Sequence, residues 1–207
     1  MVDIFPKEIR TERLRFRPAI PAHVNVHELY RIYSYDEGIE DVTEWVAWNP
    51  HRDLEQTMDL LEEYQTKWDA HKRATYCIYP EDSEDDGDEI AGTTNIRVDW
   101  DQRRGRLGLW LRKKYWGRGY SGERAAALAA IAFDVLDLEI IVVSHIPGNK
   151  KSEKAISKYV NRLGGRKEGC IRNGLAGDDG SVYDQVQYSI SREEWEAAPH
   201  DDVEYRL

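Results

Sequence analysis

RLGLWLRKKYWGRGYSGERAAALAA, residues 106–130, is the stretch of this chain that decides the fold. Its first six residues alternate as a strand does, and its alanine-rich end, which continues to Leu136, predicts a helix. Between them, Gly117 and Gly119 leave room beside the backbone. A strand, a glycine-rich turn and a long helix together indicate an anion site, because N–H groups at a helix start carry the positive end of the helix dipole.

Basic side chains flank this turn, namely Lys113, Lys114 and Arg118. They favour a phosphate-bearing ligand, since a basic cluster in an acidic chain needs a reason. A glycine-rich turn that binds nothing remains an alternative.

A dinucleotide is a second alternative, because Gly117-x-Gly119-x-x-Gly122 matches the pattern G-x-G-x-x-G. A dinucleotide-binding unit places an acidic residue at the end of the next strand, where it holds the ribose. Here that strand, EIIVVSH, ends at His145, and its one acid, Glu139, stands at its start. The dinucleotide interpretation therefore ranks low.

The rest of the chain predicts one mixed α/β domain over residues 1–207, because strand and helix patterns follow in the order β-α-α-β-β-β-α-β-α-β-β. The predicted strands are Arg13–Arg17, Ala74–Tyr79, Ile90–Val98, Arg106–Leu111, Glu139–Ser144, Glu168–Arg172 and Tyr183–Ile190. The predicted helices are Pro21–Tyr35, Asp53–Ala70, Gly117–Leu136 and Asn149–Leu163.

The composition of the chain narrows the classes of ligand and the cellular location that we expect. The chain has 207 residues, with Asp+Glu 39 against Lys+Arg 29 and a net charge of -10, which argues against nucleic acid as the main ligand. No apolar run is long enough for a membrane span, and the start has no apolar signal core, so we expect a cytoplasmic protein without membrane contact.

Three other patterns have ordinary explanations. The acidic segment Glu81–Glu89 predicts a solvated loop. Cys77 and Cys170 are far from any C-x-x-C pair and are expected to be buried free thiols. His23 and His27 have metal-ligand spacing on a helix, but no third ligand is placed, so we expect no metal.

Several ordered segments resemble the GNAT superfamily of N-acetyltransferases, in its RimJ/RimL branch of ribosomal-protein N-terminal acetyltransferases. The turn YWGRGYSGE resembles the pyrophosphate-binding turn of that family. The other matching segments are TERLRFR at 11–17, NKKS at 149–152 with Ala155-Ile156, Leu163-Gly164, EGCIR at 168–172, Asp184, YSI at 188–190 and Glu194-Trp195. Gly165 departs from the family, which has an aromatic residue there, and the helix after Asn149 is about one turn longer.

The resemblance implies a GNAT-type fold, with a central, mixed but mostly antiparallel twisted sheet of about seven strands and about four flanking helices. It also implies acetyl-CoA as co-substrate, with no metal. The backbone of Trp110, Leu111 and Arg112 would bond the pantetheine arm. The turn Trp116, Gly117, Arg118, Gly119, Tyr120 and Ser121 would hold the pyrophosphate, with Arg118 and Lys113 near the phosphates.

Catalytic roles follow from the same resemblance. Asn149 would contact the pantetheine arm, and Ser152 would give a proton to the leaving thiolate, although both also suit the capping of a helix. Tyr159, on the same helix face as Ser152, is a second candidate acid. Asp184 and Glu44 are candidate bases, and the loop of residues 44–50 is a candidate acceptor-side wall.

The expected activity is therefore transfer of an acetyl group to a primary amine, by direct attack in a ternary complex. The amine could be a peptide N-terminus or a small molecule such as a polyamine or an antibiotic. A catalytically inactive CoA-binding sensor or scaffold remains an alternative. A homodimer formed through an exposed edge strand is a further expectation.

Overall fold

The computed structural model describes residues 3–46, 48–81, 89–177, 180–200 and 203–207. The strands are β1 (Glu8–Arg10), β2 (Leu14–Pro18), β3 (Arg73–Pro80), β4 (Gly92–Asp99), β5 (Arg104–Leu111), β6 (Ile140–His145), β7 (Arg166–Ala176), β8 (Val182–Ser191) and β9 (Glu204–Arg206). The helices are α1 (Val26–Tyr35), α2 (Ile39–Thr43), α3 (Leu54–Asp69), α4 (Tyr120–Ala130), α5 (Lys150–Arg162) and α6 (Arg192–Ala197).

All these strands belong to one sheet, in the order β7-β8-β6-β5-β4-β3-β2-β1-β9. Neighbouring strands pair antiparallel except β5 and β6, which are parallel. That parallel pairing covers only Arg104–Arg106 against Ile140–Val142, after which β6 continues along β8 as far as His145. The two strands therefore diverge at the middle of the sheet and leave an opening there.

Both faces of the sheet are covered, so its central strands are buried on both sides. Along β3, Tyr76 and Ile78 pack into the core that contains α4 and α5, whereas Cys77 and Tyr79 pack into the core under α1 and α3. This alternation explains why β3 appears as a nearly continuous apolar run. The opening between β5 and β6 thus joins the two faces.

The predicted mixed, mostly antiparallel sheet with flanking helices is confirmed, with differences in the number of elements. The sheet has nine strands where about seven were expected, because β1 and β9 have three residues each and give no periodic signal. Two short helices, α2 and α6, were also missed. The first helix begins at Val26 and not at Pro21, because the Asn25 side chain caps it by accepting from two backbone N–H groups.

Three expectations from the sequence need correction. Cys170 is exposed on β7, and only Cys77 is buried. His23 precedes α1, so it shares no helix with His27. Most of the acidic segment, residues 82–88, lies outside the described residues, while Glu81 pairs with Arg10 at 3.4 Å.

In the described part of the chain, no helix is long and apolar enough to cross a membrane. Among the same residues, no group of three or more His, Cys, Asp or Glu side chains could hold a metal ion.

Candidate functional site

The opening between β5 and β6 continues into a cleft of about 2090 Å³. Most of the residues that the sequence singled out line it, including Trp110, Leu111, Trp116, Gly117, Gly119, Tyr120, Ser121, Asn149, Ser152 and Tyr159. Arg112, Arg118 and Asp184 do not line it. The cleft is larger than a typical pocket for a small ligand, so it has room for an extended molecule and a second reactant.

Strand β5 presents an unpaired backbone edge to this cleft. The N–H of Arg112 donates to the oxygen of Ala91 at 2.9 Å, on the β4 side. Since backbone groups alternate in direction along a strand, Leu109 and Leu111 direct theirs to the other side, towards the opening. Trp116 Nε1 donates to the Leu111 carbonyl oxygen at 2.8 Å. The N–H groups of Leu109 and Leu111 lie beyond the part of β5 that pairs with β6, so they can donate to a ligand.

The expectation for Arg112 is therefore corrected. Its N–H donates to Ala91 and its carbonyl accepts from the N–H of Tyr115 at 3.0 Å, so its backbone is not available to a ligand. Its guanidinium turns away from the cleft and pairs with Asp36 and Glu89, both at 2.5 Å. Arg112 ties the end of β5 to α1, which fixes the position of the turn that follows.

The glycine-rich turn has the geometry of an anion cradle. Gly117 and Gly119 have φ of 79° and 86°, which a residue with a side chain rarely adopts. Gly119 is the N-cap of α4 and gives no side-chain cap, and the N–H groups of Gly117, Gly119 and Ser121 donate to no described residue. A Cβ at Gly117 would meet nothing within 4 Å, so the space beside these donors is open. A diphosphate fits this arrangement.

A bridge from the start of the chain holds the turn in place. Glu123, in the first turn of α4, accepts from Thr11 Oγ1 at 2.7 Å and from the N–H of Arg13 at 2.9 Å. The Arg13 guanidinium pairs with Glu123 at 2.6 Å and donates to the Arg118 oxygen at 3.0 Å. The TERLR segment thus acts as a brace for the turn, a role that its sequence alone did not indicate.

The basic residues near the turn have different partners. Lys113 pairs with Asp41 at 2.7 Å, and Lys114 pairs with Glu89 at 2.6 Å. Lys151 Nζ lies 4.2 Å from the centroid of the Trp116 ring, on the wall of the cleft. Lys151, which the sequence analysis did not single out, is therefore better placed for a phosphate than Arg118, which lies outside the cleft lining.

Asn149 and Ser152 stand together at the start of α5. Asn149 is the N-cap, and its side-chain oxygen accepts from the N–H of Ser152 at 3.0 Å. The Ser152 hydroxyl makes no hydrogen bond to a described residue, and it lies on the cleft wall. It can therefore donate to a ligand.

Tyr159 lies two turns further along α5, and its side chain is 3% exposed. Its hydroxyl has no hydrogen-bond partner among the described residues. Burial raises the pKa of Tyr159, and the nearby Arg124 guanidinium opposes that shift. A buried phenol of this kind is a candidate proton donor.

The structure does not bring Asp184 to the cleft. Asp184 is exposed on β8 and accepts from the N–H of Asn173 at 2.9 Å, where the pairing of β7 with β8 is irregular. Its role in the fold is to hold that irregular pairing, and the expectation of a catalytic base at this position is corrected. Glu44, the other candidate base, does line the cleft.

Aromatic side chains form the cleft wall on the α1 and α3 side. The Tyr33 ring lies 4.8 Å from Trp110 and 4.9 Å from Trp48, and Trp48 lies 5.4 Å from Trp110. Trp110 Nε1 donates to the Tyr33 hydroxyl at 3.0 Å. Because Trp110 belongs to the diverging part of β5, this aromatic wall reaches the opening from the face opposite α4 and α5.

His51 belongs to this wall and was missed from the sequence. Its ring lies 4.7 Å from Tyr33, and its Nδ1 is 2.7 Å from Oγ1 of the fully buried Thr57. Burial lowers the pKa of His51, and the charge of Asp53 opposes this only in part. The imidazole is therefore neutral at pH 7 and can accept a proton. No periodic pattern pointed to it, since it follows Pro50 in a loop.

Comparisons with known proteins agree with this geometry. Residues 13–159 match the acetyltransferase (GNAT) domain family. A stretch of 99 residues, 48% of this chain, is 32% identical to the protein named "Putative ribosomal N-acetyltransferase YdaF" of Bacillus subtilis (strain 168). That stretch spans 51%, about half, of this relative.

Two solved structures share the fold. A GCN5-related N-acetyltransferase from Brucella melitensis has a TM-score of 0.76 at 20% identity, covering 95% of this chain and 83% of that one. Mycobacterium smegmatis RimJ in complex with CoA-disulfide has a TM-score of 0.71 at 17% identity, covering 96% and 93%. The family match over residues 13–159 confirms the GNAT resemblance inferred from the sequence motifs.

Proposed function

Because this chain belongs to the GNAT acetyltransferase family, we propose that it transfers the acetyl group of acetyl-CoA to a primary amine. One observation carries the proposal: an uncapped glycine turn and the unpaired edge of β5 open into the same cleft. The first binds a diphosphate and the second binds an extended amide arm, and acetyl-CoA contains both groups. The RimJ structure with its CoA ligand supports the choice of cofactor.

In this proposal, the backbone of Gly117–Ser121 binds the pyrophosphate of the cofactor, and Lys151 adds a positive charge beside it. The pantetheine arm follows β5 into the opening, where the N–H groups of Leu109 and Leu111 meet its amide or thioester oxygens. Asn149 caps α5 and presents this end of the helix to the arm.

Acetyl transfer here needs positioning and charge stabilisation more than covalent catalysis. The neutral amine attacks the thioester carbonyl, and an oxyanion forms, which the Leu111 N–H would stabilise. The C–S bond then breaks, and the thiolate takes a proton from Ser152, with Tyr159 as the second candidate. As the amide forms, the attacking nitrogen loses one proton to a base, and that proton returns through solvent to restore the Ser152 hydroxyl.

His51 is the base that we propose for that amine proton, in place of Asp184. Its neutral ring lies on the aromatic wall of the cleft. We propose that the acceptor enters along this wall, opposite the cofactor. An aromatic, partly dry wall also favours the neutral form of an amine over its ammonium ion, because desolvation disfavours charge. Glu44 is the second candidate.

For the acceptor we propose the α-amine at the N-terminus of a protein. A small amine is the alternative acceptor. The name of YdaF, a putative ribosomal N-acetyltransferase, supports a protein acceptor. The pKa of an α-amine in water is about 8, against about 10.4 for lysine, so a neutral imidazole deprotonates the α-amine more readily. A cytoplasmic place of action is part of the same proposal.

Cofactor choice is tested by calorimetric titration with acetyl-CoA and, separately, with NAD. We expect acetyl-CoA to bind and NAD not to bind. Binding of NAD alone would instead favour the dinucleotide interpretation. Binding of acetyl-CoA without acetyl transfer to any amine would support a CoA-binding sensor or scaffold.

A further inference from the structure

Arg124 is a buried charge that no carboxylate of the described residues balances. Its side chain is 1% exposed, and it lies on α4 one turn beyond the glycine-rich turn. Neither its Nε nor its Nη1 donates to a described residue. Arg13, beside the same turn, differs in this respect because it pairs with Glu123 at 2.6 Å.

An unpaired guanidinium at this depth is costly. Burial lowers the pKa of Arg124, with Tyr159 opposing the shift, yet an arginine side chain stays protonated in proteins. A buried charge is strongly unfavourable unless it is paired and hydrogen-bonded. If the Arg124 side chain served packing alone, methionine or leucine would fill the same space without a buried charge. The arrangement is therefore explained if a ligand supplies the missing negative charge.

The position of Arg124 indicates where that ligand lies. It is four residues from both Tyr120 and Leu128, so the three share a face of α4. Long side chains in a helix lean towards its N-terminus, which brings the guanidinium towards the anion cradle. Arg124 lines the cleft, and its Cζ is 6.0 Å from the centroid of the Tyr159 ring. Both groups have unpartnered polar atoms at the same depth.

We propose that Arg124 binds a negatively charged group of CoA inside the cleft, and that this contact is a specific feature of cofactor binding in this chain. The inference rests on the proposed function, because it takes CoA as the ligand. Two groups of CoA have the required chemistry: the diphosphate bound at the glycine turn, and the thiolate that is released after acetyl transfer. The diphosphate is charged in both acetyl-CoA and CoA, whereas the thiolate exists only after the acetyl group has been transferred.

The test uses calorimetric titration of the full chain with three probes: acetyl-CoA, free CoA at a pH where its thiol ionises, and ADP. The variants are Arg124→Met, which removes the charge and keeps the length, and Arg124→Lys, which keeps the charge. Arg31→Met, on the exposed surface of α1, is the matched control for the loss of one positive charge. Thermal unfolding of each unliganded variant checks the fold.

We expect Arg124→Met to weaken CoA at least about tenfold, the value of one charge-assisted hydrogen bond. Arg124→Lys should lose less affinity for CoA, and Arg31→Met should bind CoA with the wild-type affinity. If Arg124→Met binds all three probes more weakly than the wild type does, the diphosphate is the partner of Arg124. If it binds only free CoA more weakly, the thiolate is the partner. In both cases unliganded Arg124→Met should melt at or above the wild-type temperature, because it lacks the unpaired charge.

Unchanged affinity of Arg124→Met for all three probes would overturn the inference while leaving acetyl-CoA binding intact. A fall in the melting temperature of the unliganded Arg124→Met protein, together with unchanged affinity in Arg124→Lys and Arg124→Met, would identify Arg124 as a structural residue. If the wild type itself binds neither acetyl-CoA nor CoA, the proposed function fails, and that result is distinct from the other two.

Discussion

At the scale of single residues, the site depends on contacts that join distant parts of the chain. His51 and Trp110 are far apart in sequence, yet the two rings lie 4.7 Å and 4.8 Å from the Tyr33 ring, measured between ring centroids. Arg124 and Tyr159 also meet only through the packing of α4 on α5. Sequence reasoning found the residues with local signatures and missed those whose role depends on such contacts.

His51→Gln tests the proposed base. We expect kcat/KM to fall about a hundredfold or more, the usual contribution of a general base. Burial lowers the pKa of His51 below the ordinary histidine value of 6.5, so the ring protonates only below that pH. Protonation of the amine, whose pKa is about 8, lowers the rate on the acid side in both proteins. The wild type should show a second, steeper fall below pH 6.5, and His51→Gln should lack this additional acid limb.

The control for this variant is His27→Gln, an exposed histidine on α1 that does not line the cleft. It should keep the wild-type pH profile. If His51→Gln retains both the rate and the acid limb, the base lies elsewhere, and Glu44 becomes the next residue to examine.

At the scale of elements, length decided what the sequence could predict. The helices α3, α4 and α5 and the inner strands have clear periodicity and were predicted, whereas β1, β9 and α2 are too short to show any. The glycine turn was predicted because its chemistry is local. The expectations for Arg112 and Asp184 failed because they depended on strand register and on an irregular pairing, which a single sequence does not specify.

The brace between the start of the chain and α4 makes the turn sensitive to Glu123. In Glu123→Gln the charge that pairs with Arg13 is lost while the size is kept. We expect the free energy of unfolding to fall by about 1–2 kcal/mol, and the affinity for acetyl-CoA to fall as well. Chemical denaturation and calorimetry measure the two effects.

Glu193→Gln, at an exposed position of α6, is the matched control and should change neither quantity. A Glu123→Gln protein that is destabilised but binds acetyl-CoA with unchanged affinity would show that the brace serves the fold and not the turn.

Glu89 pairs with Arg112 and Lys114 and accepts a hydrogen bond from the Tyr115 hydroxyl. This network predicts that the stability of the fold depends on pH. Burial alone would raise the pKa of Glu89, but hydrogen bonds from Lys114, Tyr115 and Arg112 lower it to about 2. The carboxylate therefore stabilises the fold fully above the ordinary glutamate pKa of 4.5, and this contribution is lost as the pH falls towards 2.

Glu89→Gln should lower the free energy of unfolding by about 1–2 kcal/mol at pH 7, after allowance for partial exposure to solvent. The difference from the wild type should shrink as the pH is lowered from 4.5 towards 2, because the unfolded wild-type chain then binds a proton that the folded carboxylate does not. A difference that stays constant over that range would contradict this account of the ion-pair network.

At the scale of the whole molecule, the net charge of -10 is an average over unlike regions. The cleft wall on the α5 side carries a basic row, Lys150, Lys154, Lys158 and Arg162, spaced four residues apart. Asp41 and Glu63 also line the cleft, but each pairs with a basic residue of the same lining, Lys113 and Arg73. The basic row therefore favours an anionic cofactor on the α5 side of the cleft. Homodimer formation stays a prediction.

The central claim is that the cleft transfers an acetyl group from acetyl-CoA to an amine. Its most direct test is release of free CoA from acetyl-CoA across a panel of peptides with free N-termini, polyamines and aminoglycosides, with acetylated products identified by mass. We predict acetyl-CoA-dependent CoA release, with acetylation of a peptide α-amine, and loss of that activity in Ser152→Ala or His51→Gln. No release above the rate without enzyme, with any amine and with the protein folded, would contradict it.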